Sequence, residues 1–284
     1  MDKIKFIGKK DLTLQNLLKE NHISKRATNR LIKNGLTVNG KIVKKNIKIK
    51  KDDIIELPII DERIDYNPIK GEINVIYEDE HLIVIDKPSG ITMNSKNQVN
   101  LSNYLAYYFK ENNIKRKIRL INRLDMNTSG IMLIAKNKYA QSYYQKQIES
   151  NNLIKKYIAV VEGSLEIDNK ITINISYDKK NKLYYHSNEG VEAITVFKTI
   201  EKHNKYSLVE ANILTGKTHQ IRLSCKELGH PIVGDYLYSS TYDLDRFLLH
   251  SYYLEFREFL SGKKMIIQSK PDFDKYIKAL EFKS

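Results

Sequence analysis

The sequence is poor in the residues that build several common kinds of site. It has one cysteine, Cys225, in 284 residues, which excludes a disulfide within the chain and a cysteine-based zinc site. No apolar run approaches the roughly 18 residues that a membrane helix needs. The N-terminus also lacks the apolar segment and small-residue cleavage site of a secretory signal. These absences lead us to expect a cytoplasmic protein.

Motifs for metal, nucleotide and acyl-transfer chemistry are lacking as well. None of the seven histidines lies three or four residues from another, which is the spacing that places two metal ligands on one helix face. There is no glycine-rich phosphate loop and no G-x-S-x-G turn around a nucleophilic serine. We therefore expect neither a metal ion nor a cofactor.

Acidic residues are scarce relative to basic ones. The chain has 48 Lys and Arg against 34 Asp and Glu, a net charge of +14, which is typical of proteins that bind a polyanion such as nucleic acid. Residues 1–57 hold 13 Lys and 2 Arg against 4 Asp and 2 Glu, a net charge of +9. This uneven distribution favours a binding surface over a merely lysine-rich composition.

The first 58 residues have the pattern of two helices followed by a small β element. Leucines repeat at i, i+3 and i+4 from residue 14 and predict a first helix. Ser24 is placed to begin a second helix, and Gly35 to end it. The pair Asn39-Gly40 then predicts a tight hairpin.

Basic side chains mark the second of these predicted helices. Those expected on its exposed face are Lys25, Arg26, Arg30 and Lys33. Such a compact, positively charged unit suits an RNA backbone, although a solvated helix face would look similar. Residues 11–58 resemble the S4 RNA-binding domain, and this resemblance implies that the four side chains contact RNA.

The rest of the chain has an α+β pattern. Residues 59–72 contain Pro68, Gly71 and several acidic side chains, and predict a linker. From residue 73 to 284, short apolar runs predict many strands, interrupted by helical patterns at 100–113, 138–150 and 218–229. We therefore expect a second, larger domain built on a mixed, mostly antiparallel sheet.

A single acid, Asp125, lies in a polar stretch between the apolar runs IRLI and IMLIAK. As a turn former it would accept backbone N–H groups, with Gly130 free to adopt a positive φ. Arg123 stands two residues before it, so on a strand both side chains would point to one face. From these residues alone, Asp125 could be either a turn former or a catalytic acid.

Three other segments carry candidate residues. In LTGKTHQIRLSCKELGHPIVGDYLY a helix is expected to begin near Thr218, and Arg222 within it could hold an anion. The alternative is an ordinary helix start, whose polar side chains only bond backbone groups. Asp235 is expected in a turn. Tyr157, on the predicted strand KKYIAVVEG, would usually be a core residue. Lys87, before a proline, indicates a turn.

Four segments in this order, IVIDKPSGI, NRLDMNTSGIMLIAK, KKYIAVVEG and TGKTHQIRLSCKELGHPIVGDYLY, resemble the RluA type of pseudouridine synthase. With the S4-like segment, the resemblance covers nearly the whole chain. It implies a pseudouridine synthase fold for residues 73–284 and the isomerisation of uridine in RNA. We expect the protein to be a monomer. Relatives with an S4 domain suggest large-subunit ribosomal RNA as substrate, and tRNA is the alternative. A non-catalytic RNA-binding or ribosome-assembly factor is a second hypothesis.

The resemblance also implies roles for single residues. Asp125 stands at the catalytic aspartate, and Arg123 at the arginine that helps to extrude the target uridine and fills its place. Tyr157 matches the tyrosine that packs against the base and assists proton removal at C5. Arg222 matches the basic residue that pairs with the catalytic carboxylate. Asn122 is a departure, because the family commonly has His there, and the contacts of this loop are left open.

The chemistry agrees with the missing motifs. The reaction breaks the bond from N1 to C1′ and joins C5 to C1′, which needs no redox partner, metal or triphosphate. A carboxylate can trap or stabilise the electron-poor ribose that forms on the way. Attack on the sugar and removal of a sugar proton are both compatible with an aspartate at this position.

Overall fold

The computed structural model describes residues 3–95 and 98–282. Within these residues the strands form one sheet of 11 strands, one of four strands and a ladder of two strands. The small sheets lie in the N-terminal part of the chain, and the large sheet begins after residue 73. None of the helices in the described ranges is long and apolar enough to cross a membrane.

The N-terminal unit combines short strands with two helices. In chain order its elements are β1 (Lys3–Ile7), β2 (Leu12–Thr13), α1 (Leu14–Glu20), α2 (Lys25–Asn34), β3 (Leu36–Val38), β4 (Lys41–Val43), β5 (Lys48–Ile49) and β6 (Ile54–Pro58). The four-stranded sheet has the antiparallel order β1-β6-β3-β4, and β2 pairs with β5. The two predicted helices are confirmed, and β1 was not predicted.

The local signals fix the boundaries of this unit. Ser24 caps α2, since its hydroxyl accepts the N–H of Ala27 at 3.3 Å. Gly35 ends the helix with φ of 88°, a conformation that glycine adopts at little cost. Asn39 and Gly40 both have positive φ, as in the tight turn that best matches the twist of a hairpin. The predicted cap, helix end and hairpin are therefore confirmed.

The N-terminal unit shares an apolar core with the large sheet. Ile4 and Leu14 belong to the same buried cluster as Tyr144 and Phe259, which come from the C-terminal part of the chain. The ring of Phe6 meets that of Phe259 edge-on, with centroids 6.2 Å apart. Burial of these apolar side chains on both sides holds the unit against the sheet.

The large sheet and its helices follow in chain order. The elements are β7 (Asn74–Glu78), β8 (Leu82–Lys87), α3 (Leu101–Glu111), β9 (Arg119–Leu120), β10 (Ser129–Ala135), α4 (Lys138–Glu149), β11 (Ile154–Glu162), β12 (Asp168–Asp178), β13 (Leu183–His186), β14 (Val191–Lys202), β15 (Tyr206–Ile213), α5 (Gln220–Glu227), β16 (Leu249–Arg257), β17 (Lys264–Gln268) and α6 (Asp274–Phe282). The helices predicted over 100–113, 138–150 and 218–229 are confirmed as α3, α4 and α5.

The strand order is β13-β12-β14-β15-β11-β16-β10-β8-β7, with β17 added to β16 and β9 added to β10. The neighbours β10 and β16 run parallel, and the other pairs are antiparallel. A mixed, mostly antiparallel sheet was predicted and is confirmed.

The centre of the sheet is buried on both faces. Ile131 and Leu133 of β10 belong to the cluster shared with α4 and the N-terminal unit, whereas Met132 and Ile134 belong to the cluster shared with α3 and α5. Because successive side chains of a strand point to opposite faces, this run of apolar residues serves two cores. Strand β10 is therefore packed on both faces and supports the loop that precedes it.

The start of β10 corrects two sequence-based expectations. Ser129 and Gly130 were expected in a turn, but they pair with β16 and open the strand. Gly130 has φ of 115°, and a Cβ there would come within 2.3 Å of the carbonyl oxygen of Ser251, so the close parallel pairing requires glycine. The turn lies earlier, where the N–H of Thr128 donates to the carbonyl of Asp125. Arg123 and Asp125 accordingly lie in a loop, not on a strand.

Candidate active site

Residues 121–128 form the loop between β9 and β10, and Asn122 anchors its first half. The buried Asn122 amide donates to the carbonyl of Ile131 at 3.1 Å, and its oxygen accepts the N–H of Leu133 at 2.8 Å. Both partners are backbone groups of β10, so the loop is fixed to a strand that is itself buried on both faces. The residue that departs from the family pattern is therefore a structural anchor of the loop.

Lys87 anchors the second half of the same loop. Its side chain is 0% exposed, and Nζ donates to the carbonyls of Met126 at 2.9 Å, Thr128 at 2.8 Å and Pro88 at 2.8 Å. Burial, assisted by the charge of Arg246, lowers the pKa of Lys87 to about 7. Three carbonyl acceptors match the three N–H donors of the ammonium form. The sequence indicated only a turn at Lys87 and missed this tether.

Asp125 projects from this loop into a cleft of about 310 Å³. The residues predicted from the family resemblance that line this cleft are Arg123, Asp125, Tyr157 and Arg222. The carboxylate of Asp125 is 29% exposed, so it is open to a ligand yet sheltered from bulk water. The structure thus brings all four residues to one cavity, from a loop, a strand and a helix.

Arg222, in the first half of α5, is held in one orientation. Its Nε and Nη2 donate to the two carboxylate oxygens of Asp235 at 2.6 and 2.8 Å, and Nη1 lies 3.3 Å from Oδ2 of Asp125. The guanidinium also packs against the rings of Tyr238 and Phe247, 4.8 and 4.3 Å from their centroids. Although burial acts in the opposite direction, the hydrogen bonds and charge of Asp235 raise the pKa of Arg222.

Tyr157 forms the wall of the cleft next to Asp125. It lies on β11, and the register with β16 shifts between Lys156 and Tyr157 because Tyr252 is an extra residue in β16. Burial and the negative charge of Asp125 raise the pKa of Tyr157. Its phenol is therefore protonated at neutral pH.

Arg123 differs from its neighbours because it is exposed. It borders the cleft, but within residues 3–95 and 98–282 its guanidinium makes no hydrogen bond or ion pair. A side chain with this freedom can change rotamer at little cost, in contrast to the fixed Arg222.

His219 is a cleft residue that the sequence did not single out for chemistry. Its Nε2 lies 3.8 Å from Oδ2 of Asp125, and its Nδ1 is 2.7 Å from the hydroxyl of Tyr238. Its φ of 58° is a left-handed conformation, which is costly for a residue other than glycine and often marks a functional site. Burial lowers the pKa of His219, so the imidazole is neutral at physiological pH.

Asp235 and Lys155 were also missed as site residues. Asp235 follows a turn, as expected, because its N–H donates to the carbonyl of Ile232, but its carboxylate fixes Arg222. Lys155 lines the cleft two residues before Tyr157, and burial lowers its pKa. A basic side chain at i−2 on the same strand was a usable signal for Lys155, whereas no spacing rule connects Asp235 with Arg222.

The predicted basic residues of α2 are not part of the cleft. Lys25, Arg26, Arg30 and Lys33 are all exposed, as predicted for that face of the helix. Lys25 borders a separate groove between the N-terminal unit and α4, and Gln145 of α4 lines both the groove and the cleft. Across the described ranges, no three His, Cys, Asp or Glu side chains are grouped so as to hold a metal ion.

A mixed sheet that carries a partly exposed carboxylate, held beside a fixed guanidinium in a cleft of about 310 Å³, has the features expected of an enzyme active site. The chain belongs to the RNA pseudouridylate synthase family, whose model matches residues 81–227. It is accordingly an isomerase that converts uridine to pseudouridine in RNA, as predicted from the sequence.

Similar proteins agree with this assignment. An uncharacterized RNA pseudouridine synthase of Bacillus subtilis (strain 168) is 36% identical over 212 residues, which covers 72% of this chain and 70% of that protein. Ribosomal large subunit pseudouridine synthase C of Buchnera aphidicola subsp. Schizaphis graminum is 31% identical over 295 residues, covering 95% and 93%. The structure of human RNA pseudouridylate synthase domain containing 1 has the same fold, with a TM-score of 0.60 and 22% identity over 74% of this chain and 95% of that one.

Proposed function

We propose that this protein forms pseudouridine in large-subunit ribosomal RNA, with Asp125 as the catalytic residue. The observation that carries the proposal is the contact of Asp125 Oδ2 with Arg222 Nη1 at 3.3 Å, at the wall of the one cleft that Tyr157 also lines. The carboxylate acts on the ribose of the bound uridine while the bond from N1 to C1′ breaks, by attack or by proton removal. Arg222 orients the carboxylate and balances its charge.

Tyr157 and Arg123 handle the base in this proposal. The buried ring of Tyr157 packs against the uracil, and its neutral hydroxyl assists the transfer of the C5 proton to water after C5 has joined C1′. Arg123 enters the RNA where the uridine has left, since it is exposed at the edge of the cleft and makes no bond within the described chain. Extrusion of a base costs a few kcal/mol, which an inserted side chain helps to offset.

Residues 1–58 form an S4-like RNA-binding domain in this proposal, followed by a linker over 59–72 and a catalytic domain over 73–284. Two helices followed by a hairpin, and a net charge of +9 in residues 1–57, support it. Exposed side chains on one helix can contact successive phosphates and position the RNA without reading its sequence. The residues proposed for this role are Lys25, Arg26, Arg30 and Lys33.

The choice of ribosomal RNA rests on relatives. Ribosomal large subunit pseudouridine synthase C of Vibrio cholerae is 28% identical over 280 residues, and synthase D of Xylella fastidiosa is 30% identical over 221. The proposed site of action is the cytoplasm, where ribosomes are assembled. The protein is proposed to act as a monomer, since Arg123, Asp125, Tyr157 and Arg222 of a single chain already line the cleft together. Asn122, the one sequence feature that favoured a non-catalytic factor, holds the catalytic loop in place.

The target is tested by mapping pseudouridines with carbodiimide and primer extension in a strain that lacks this protein. We expect one or more stops in large-subunit ribosomal RNA to disappear. The wild-type gene should restore them, and the Asp125→Ala gene should not. Unchanged ribosomal RNA together with lost stops in tRNA would overturn the ribosomal target. Unchanged stops in both RNA classes would overturn the proposed function.

A further inference from the structure

A row of aromatic rings leads outward from the cleft, beginning at His219. The ring of Tyr184 lies 5.1 Å from that of His219, and the ring of Tyr177 lies 4.7 Å from that of Tyr184. Tyr177 is on β12 and Tyr184 on β13, the two strands of a hairpin at the edge of the large sheet. The row therefore connects the surroundings of Asp125 with an exposed strand edge.

The pairing register gives this hairpin two different faces. Tyr177 and Tyr184 are direct cross-strand partners, so their side chains share one face. Tyr185, the next residue, points to the other face. Tyr177 is 46% exposed and Tyr185 is 42% exposed. The face with Tyr177 and Tyr184 thus continues the row of rings from the cleft. Tyr185, which is exposed to a similar extent, lies on the opposite face.

The tip of the hairpin is basic, and hydrogen bonds close its turn. Asp178 accepts the N–H groups of Lys180 and Asn181 at 2.8 and 3.1 Å and so closes the turn. The lysines at the tip, all exposed, are Lys179, Lys180 and Lys182. They make no ion pair within the described parts of the chain, which leaves their charges available to a ligand.

The hairpin is also fixed to the wall of the cleft. The hydroxyl of Tyr238 lies 3.2 Å from the carbonyl oxygen of Tyr184 and 2.7 Å from Nδ1 of His219. Tyr238 packs against Arg222 as well. These contacts fix the position of the aromatic face relative to the Asp125–Arg222 pair. A surface that binds a neighbouring part of the substrate needs such a fixed position.

We propose that the face formed by Tyr177 and Tyr184 is a stacking platform for an unpaired base next to the target uridine, and that the lysines at the tip contact the adjoining phosphates. Exposed aromatic rings beside free basic side chains are the combination that binds single-stranded nucleic acid, because every base has a face that can stack. The inference rests on the proposed action on RNA and adds to it a binding site outside the cleft.

The absence of tryptophan from this chain permits a local test. Tyr177→Trp and Tyr185→Trp each introduce a single tryptophan, on the aromatic face and on the opposite face of the hairpin. The tryptophan is excited at wavelengths beyond the absorption of the tyrosines. Each protein is titrated with a single-stranded oligouridylate. We expect saturable quenching of the tryptophan in Tyr177→Trp and none in Tyr185→Trp. Equal quenching in both variants, or none in Tyr177→Trp, would overturn the platform.

The affinity of the same oligouridylate, labelled with fluorescein, gives the second measurement. One stacked base contributes about 1–3 kcal/mol, so Tyr177→Ala should weaken binding by about 5-fold or more, while Tyr177→Phe and Tyr185→Ala stay within about twofold of wild type. A Tyr177→Ala protein that binds like wild type would contradict the proposal. These readouts need no turnover, so a failure of the proposed function would appear separately, as a wild-type protein that binds RNA but forms no pseudouridine.

Discussion

Asp235 holds Arg222 by two parallel hydrogen bonds, from Nε at 2.6 Å and from Nη2 at 2.8 Å. This leaves Nη1 as the nitrogen that faces Asp125, at 3.3 Å. One guanidinium thus lies between two carboxylates, a buried one that fixes it and a partly exposed one that can meet substrate. Preorganisation of this kind means that the charge opposite Asp125 is already in place before RNA binds.

Replacement of Asp235 should impair catalysis, although we expect Asp235 itself not to contact RNA. Asp235→Asn keeps the volume but loses the charge that anchors Arg222, and small displacements in an active site can cost about 100-fold in rate. We expect kcat to fall by about that factor, with RNA affinity within about twofold of wild type. Asp243→Asn, an exposed aspartate eight residues further on, is the control. An unchanged kcat in Asp235→Asn would show that Arg222 does not depend on this anchor.

Replacement of Lys87 should loosen the loop that carries Asp125. Lys87→Met removes the donor to the carbonyls of Met126 and Thr128, and an unsatisfied buried group costs about 1–3 kcal/mol. We expect the free energy of unfolding to fall by about that amount and kcat to fall about 10-fold or more. Urea denaturation and single-turnover rates measure the two effects. The exposed Lys270→Met serves as control, and equal behaviour of both variants would refute the tether.

Asn122 should be replaceable by histidine but not by alanine. Asn122→Ala loses both bonds to β10, so we expect a loss of about 1–3 kcal/mol in the free energy of unfolding and reduced kcat. A neutral histidine can donate with one ring nitrogen and accept with the other, so Asn122→His should retain most of the activity. If the alanine variant matches wild type in urea denaturation and in rate, the anchoring role is wrong.

His250 should make stability depend on pH. Burial, together with Arg246, lowers the pKa of His250 below 6.5 despite the charge of Asp86, and its ring nitrogens bond Ser129 and Ser269. Below pH ~6.5 the unfolded chain therefore binds a proton that the folded chain does not. The free energy of unfolding then falls by up to about 1.4 kcal/mol per pH unit from this group.

Urea denaturation between about pH 7.5 and 5.5 tests this linkage. The fall in stability should be smaller in His250→Gln than in wild type, since the variant has no titrating group at this position. Burial also lowers the pKa values of His81 and His219, so part of the pH dependence of stability should persist in the variant. Parallel curves for the two proteins would mean that His250 takes up its proton equally in both states.

Local structure was predictable wherever the signal lies within a few residues. The cap at Ser24 and the turn at Asn39-Gly40 specify their own backbone, and the continuous apolar run of β10 specifies a buried strand. Strand β13 was missed because LYYH is only four residues long and lies next to lysines and asparagines. It becomes a strand because it pairs with β12.

The site was predictable only in part, because its geometry depends on contacts across the chain. Arg123, Asp125, Tyr157 and Arg222 were grouped by family resemblance. Taken singly, Asp125 also suited a turn, Tyr157 a core position and Arg222 an ordinary helix start. The tether from Lys87 to the Asp125 loop exists because β8 and β10 pair side by side. Asp235 contacts Arg222 because a turn brings the chain back past α5. The spacing of the two residues in the sequence does not predict this contact.

The most direct test of the account is the release of tritium from RNA labelled at C5 of uridine, since C5 gives up its hydrogen when it joins C1′. Wild-type protein and Asp125→Asn are compared at equal RNA occupancy, established by a binding assay. We expect release by wild type and none above background by the variant, with unchanged affinity for RNA. Release by Asp125→Asn at the wild-type rate would contradict the assignment of Asp125 as the catalytic residue.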